Sequence, residues 1–188
     1  MPARRHLPSA MHETSASDRI WMERLLRHAA LVGARGEIPV AAVVLDARGR
    51  ALGWGSNRRH GEQDPLGHAE IVALRQAAAC RRDWRFNDCR LLVTLEPCPM
   101  CAGALIQARM GSVLFGAADP KRGALGGCLN LAADPSAHHH MTVIGGLFAG
   151  EAQSLLEEWF RRRRSRAIRQ PGQREPGGER QEAQSRTG

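Results

Sequence analysis

The sequence has no run of about eighteen apolar residues, so no ordinary membrane-spanning helix is expected. Arg4 and Arg5 stand near the start, but no apolar stretch follows them. The pattern of a secretory signal is missing, and a cytoplasmic location is expected. Cysteine is scarce: there are five, an odd number, without the spacing of a disulfide framework. In a cytosolic chain, paired cysteines point to metal or catalysis instead. Only Cys98 and Cys101 are closely spaced; Cys80, Cys89 and Cys128 read as small apolar fillers. Lysine is nearly absent, with Lys121 the only one, so almost all positive charge is arginine. No internal repeat is visible.

A chain of 188 residues suits one domain with extensions, and 43% apolar content is ordinary for a globular protein. The formal net charge is +8. That balance favours polyanions, nucleic acid before anionic membrane. A basic tail that merely keeps the chain in solution fits the composition equally well.

Residues 1–16 are polar and lack periodicity, which predicts a disordered extension. From Ser17, a candidate cap, Met22, Leu25, Leu26, Ala29 and Val32 recur at helical spacing. Val40 to Leu45 reads as a buried strand, with Ala51 to Trp54 as its hairpin partner. A loop rich in turn formers, 56–67, leads to a helix from His68 to about Ala79. A strand over 91–94, a helix over 98–108 opened by Pro97 and Pro99, and a strand over 113–116 follow. Residues 118–140 are long, irregular and rich in glycine and proline, a pattern typical of functional loops. A strand over 142–148 and a helix from about Glu151 close the domain. Beyond about residue 168, Pro, Gly, Gln, Glu and Arg dominate, which predicts a disordered basic tail over 168–188. The folded domain is thus expected over 17–167. Strands alternating with helices argue for an α/β layered domain with a mixed sheet.

Two helix starts carry the chemistry. His68 and Glu70 open one, and Cys98 and Cys101 open the other. The C-x-x-C spacing puts both sulfurs on one face, one turn apart. Free backbone N–H groups and the helix dipole at that end favour thiolates. Two thiolates and an imidazole suit Zn2+, and three protein ligands leave a fourth position for water, the pattern of a catalytic site. Glu70 is close enough to shuttle a proton from water to a leaving nitrogen without being a ligand. A structural zinc knuckle completed by a distant fourth ligand is the competing reading. A redox dithiol would leave His68 and Glu70 unexplained. The run His138 to His140 also invites a metal. Consecutive side chains rarely converge on one ion, so a polar surface loop is expected there.

The H-x-E and P-C-x-x-C pattern is the signature of zinc deaminases acting on nucleobases. His68-Ala-Glu-Ile and Thr94-Leu-Glu-Pro-Cys-Pro-Met-Cys-Ala-Gly-Ala resemble the bacterial tRNA-specific adenosine deaminases. The likeness runs from about Ile20 to Arg164. Glu37-Ile-Pro-Val, Gly55-Ser-Asn57, Asp64-Pro65, Phe115-Gly116, Asp119-Pro-Lys121 and Trp159-Phe160-Arg support it. The resemblance implies a cytidine-deaminase-like three-layer α/β/α fold with a five-stranded mixed sheet. It implies a homodimer, one Zn2+ per subunit held by His68, Cys98 and Cys101, and Glu70 as general acid and base. It implies conversion of adenosine to inosine at the wobble position of a tRNA anticodon. Asn57 matches a position that contacts the target nucleoside, and Asp119 and Lys121 match a loop that lines the RNA. The last helix matches the element that binds the anticodon arm. There Trp159 and Phe160 are candidates for stacking and Arg161 to Arg164 for phosphates. Phe160 is expected to be partly core. Ala118, where the family often has a basic residue, and His138-His139, where it often has Asn-His, depart from the pattern. They bear on the choice of tRNA. Two other functions stay open: deamination of a free base or nucleoside, and a non-catalytic zinc-bearing RNA-binding subunit.

Overall fold

Ala41–Leu45 (β1) is buried at every position, so its strand must be covered on both faces. The computed structural model describes residues 14–169, with side chains to residue 166. β1 lies between Ala51–Ser56 (β2) and Arg90–Leu95 (β3), antiparallel to both. Ser112–Ala117 (β4) and Thr142–Ile144 (β5) add parallel to β3, giving a mixed five-stranded sheet in the order β2-β1-β3-β4-β5.

Side-chain alternation sends the strands' residues to opposite faces. Ala42, Val44, Leu91 and Val93 pack with Ala69, Ala73 and Ala77 of Ala69–Arg81 (α2) and with Ala102 and Leu105 of Pro99–Gln107 (α3). Ala41, Val43, Leu45 and Leu92 meet Met22, Leu25 and Ala29 of Ala16–Ala34 (α1) on the other face. Ala149–Arg169 (α4) lies beside α1 and over β3 and β4. The result is the three-layer α/β/α arrangement that the resemblance implies. Gly53 and Gly55 of β2 let the α2 backbone come into direct contact, since a Cβ at either would strike it.

Several boundaries differ from the sequence expectation. The cap of α1 is Ser15, not Ser17. Its hydroxyl accepts from Asp18 N–H at 3.1 Å, while Asp18 accepts from Ser15 N–H at 3.0 Å. This reciprocal pair satisfies two donors at once, which Ser17 could not match. Residues 1–13 of the expected N-terminal extension lie outside the described residues. β5 stops at Ile144 instead of Phe148. Gly146 and Phe148 both have positive φ, 95° and 58°, and turn the chain into α4. α4 continues to Arg169, past the expected domain edge at 167, because Arg, Ala and Ile sustain a helix and the first breaker is Pro171. The rest of the expected tail, 170–188, lies outside the described residues. No helix among the described residues is long and apolar enough to cross a membrane.

Candidate active site

Two helices point their N-termini at one spot. His68 is the N-cap of α2 and Cys98 the N-cap of α3; neither side chain caps its own helix, so both are free for other partners. Pro99 at the start of α3 has no N–H to leave orphaned there. Cys101, one turn on, is fully buried. His68 Nδ1 lies 3.6 Å from Cys98 Sγ and 3.5 Å from Cys101 Sγ. Tetrahedral zinc with ordinary Zn–S and Zn–N bonds sets that separation at about 3.6 Å. These three ligand atoms lie within 4.8 Å of one another and form the one candidate metal cluster among the described residues. Among the described residues no fourth protein ligand joins them, which disfavours a closed structural knuckle.

The electrostatics fit a cation. The Cys98 thiol is held down at about 3, first by its hydrogen bond with Cys101 and then, against burial, by His68. Cys101 is pushed far up by the same hydrogen bond and by burial. The His68 imidazole is raised by its hydrogen bond to Cys98. Two sulfurs and an imidazole nitrogen gathered at these distances make a donor set that fits zinc. Glu70 follows His68 by two residues and is buried, with its carboxyl pushed up to about 7 by that burial. It lies within electrostatic reach of His68, Cys98 and Cys101 but outside the ligand cluster.

Asn57 is buried at the end of β2, and its Oδ1 accepts from Ala69 N–H at 3.1 Å. It therefore braces the start of α2 beside His68. Asp119 and Lys121 line a groove of about 620 Å³ together with Arg122, Phe160, Arg161 and Arg164. Four cationic side chains face two carboxylates there, Asp119 and Glu157, so the groove is net positive. Asp119 Oδ1 accepts from Lys121 N–H and Arg122 N–H, both at 3.0 Å, which fixes the turn.

The two aromatics of α4 depart from the expectation that Phe160 is the partly core one. Phe160 is 42% exposed instead of partly core. Trp159 is the half-buried one, and its indole N–H donates to Gly33 O at 3.2 Å. Adjacent residues on a helix point about 100° apart, and the end of α1 fills the Trp159 side. Among the described residues the histidine run joins no metal cluster. His139 Nε2 donates to Met110 O at 2.7 Å and His140 Nδ1 to Ala132 O at 3.1 Å, pinning the long loop.

Sequence reasoning passed over two buried carboxylates that hold the loops around the site, Glu37 and Glu96. Glu37 Oε1 accepts from His60 N–H at 2.6 Å and Gly61 N–H at 2.7 Å, holding the loop between β2 and α2. Glu96, 2% exposed, holds the loop after β4 in the same way. Both stand inside motifs that carry the resemblance, Glu37-Ile-Pro-Val and Thr94-Leu-Glu-Pro. That position was the only signal.

The family model of the cytidine and deoxycytidylate deaminase zinc-binding region matches residues 15–117. The tRNA-specific adenosine deaminase of Bacillus subtilis is 35% identical over 81% of this chain and 95% of its own. A tRNA(Ile)-lysidine synthase of Deinococcus radiodurans is 50% identical over 73% of this chain, which spans only 23% of that longer relative. A solved structure from a study of A-to-I editing by tRNA:A34 deaminases superposes with a TM-score of 0.70 and 36% identity, covering 73% of this chain and 99% of that one. The ligand triad, the buried glutamate beside it and these likenesses agree: the chain belongs to the cytidine and deoxycytidylate deaminase zinc-binding family.

Proposed function

We propose that this protein hydrolyses adenosine in tRNA to inosine, releasing ammonia, and that its target is the wobble position of an anticodon. The single observation carrying this reading is the placement of a net-positive groove next to a deaminase centre. Asp119, on the groove wall, is hydrogen-bonded to Glu96, two residues before the ligand Cys98. A free base needs no such surface. The relatives named for tRNA point the same way, including the lysidine synthase, whose name is also that of a tRNA-modifying enzyme.

His68, Cys98 and Cys101 hold one Zn2+ per subunit in this reading. When bound, zinc supplies the Lewis acidity that makes water nucleophilic near neutral pH. Glu70 takes one proton from the attacking water and passes it to the purine ring nitrogen, then takes the second from the hydroxyl so formed on the purine and passes it to the departing amine. Burial keeps this carboxyl away from bulk solvent, so the proton stays in the site. Asn57 holds the start of α2 and, in this reading, contacts the flipped nucleoside. Lys121, Arg161 and Arg164 meet phosphates, and Phe160 offers a face for stacking. The anticodon arm as docking partner, a homodimer and a cytoplasmic location belong to the same reading. So does a single deaminase domain over 17–167, extended to its Ser15 cap and the end of α4.

The test is direct. The full chain is incubated with an anticodon stem-loop carrying a wobble adenosine, and separately with free adenosine, guanine and cytosine. Nucleoside analysis by mass spectrometry is expected to show inosine in the RNA alone. Turnover confined to the free compounds would overturn the tRNA assignment. Full zinc with no turnover on any of them would make the chain a non-catalytic zinc-bearing subunit.

A further inference from the structure

We infer that Glu96 is a positioning residue that locks the RNA-facing loop onto the metal-binding helix. The inference rests on the tRNA reading above. Glu96 extends β3 by donating its own N–H to Ala117 O at 2.9 Å, so its backbone is fixed by the sheet. Its side chain then turns away into the loop after β4. Oε2 accepts from Asp119 N–H at 2.9 Å. Oε1 accepts from Leu125 N–H at 2.9 Å and Gly127 N–H at 2.8 Å. No cation pairs with it among the described residues; backbone dipoles alone face the carboxylate. A carboxylate is an acceptor-only group, which matches three N–H donors.

The surroundings are cut to fit it. A Cβ at Gly123 would stand 2.2 Å from Glu96 Oε2, and one at Gly127 would stand 2.4 Å from it. The next residue adds a fourth tie: Pro97 O accepts from Ala124 N–H at 2.9 Å. Cys98 follows at once. One stretch, 96–98, therefore supplies a metal ligand and holds four loop amides, at 119, 124, 125 and 127. Asp119 in turn fixes the Lys121 and Arg122 amides. The groove wall is thus registered to the catalytic centre through the Glu96 side chain, together with the Pro97 carbonyl and the burial of Ala124 and Leu125 in the core. Glu70 handles the proton; Glu96 touches no substrate and acts through Asp119 and Lys121.

Glu96→Gln separates these links. The amide oxygen can still accept from Leu125 and Gly127. Its NH2 group then faces the Asp119 N–H, donor against donor, and releases that end. Zinc content, thermal unfolding, amide exchange, and kcat and KM on the wobble-adenosine stem-loop are measured for both proteins. Expected are unchanged zinc, cooperative unfolding, and exchange at Asp119 and Lys121 faster by tenfold or more. KM should rise about tenfold, with kcat changed by less than about threefold. Glu96→Ala should speed exchange along 119–127 as a whole. Loop exchange and KM both unchanged would overturn the role, as would loss of zinc, which would assign Glu96 to the metal helix instead. Amide exchange is read without substrate. If the parent edits no RNA, the tRNA reading fails while the loop lock is still decided.

Discussion

The metal centre and the groove are built by opposite rules. The centre takes its groups from two helix starts, buries Glu70 and Cys101, and gathers three ligand atoms within 4.8 Å. The groove takes its groups from a loop and one helix, leaves Lys121, Arg161 and Phe160 exposed, and spreads charge along an open wall. Chemistry on water needs fixed distances in a site shielded from solvent. A flexible RNA loop needs reach, charge and flat apolar faces. Single substitutions should therefore abolish function in the first region and only grade it in the second.

The sharpest break is Glu70→Ala. Loss of the proton shuttle should lower kcat by about 10²- to 10⁴-fold. Zinc, measured by mass spectrometry on purified protein, should stay at one per chain. Cys98→Ser should fail the other way, losing metal as well as turnover. Retained zinc in that variant would refute the ligand assignment.

A smaller effect separates the two aromatics of α4. Trp159→Ala removes a docked indole and its bond to Gly33 O, and should destabilise by about 2 kcal/mol, a fall in Tm of roughly 4–8 °C. Phe160→Ala should leave Tm nearly unchanged and weaken stem-loop binding by about 1–3 kcal/mol, the range for loss of a stacking face. The reverse assignment in calorimetry and binding titration would move the RNA face of α4 to the other side.

The smallest effect concerns charge. Arg161→Ala should reduce the slope of log affinity against log salt by roughly 0.7–0.9, one phosphate contact, with kcat unaltered. An unchanged slope would place Arg161 off the interface.

The centre was legible because its signals are local. His68 with Glu70, and Cys98 with Cys101, announce themselves by short spacing at helix starts. The short apolar runs that became strands were legible for the same reason. What escaped depends on distance. Glu96 bonds amides 23 to 31 residues away, and backbone donors leave no trace in composition. Which of Trp159 and Phe160 docks depends on the rotation of α4 against the end of α1, which helical periodicity alone does not set. The cap moved from Ser17 to Ser15 because the choice turned on Asp18 reaching back three residues.

One seam has a mechanical meaning. A methyl group at Gly55 would stand 1.9 Å from Ala69 O, and one at Gly53 would stand 2.3 Å from Ala73 O. The helix carrying His68 and Glu70 is seated on its strand with no clearance. It can neither slide nor roll without striking backbone, so the seam acts as a hard stop. The metal then enters a socket whose dimensions were machined by two missing side chains.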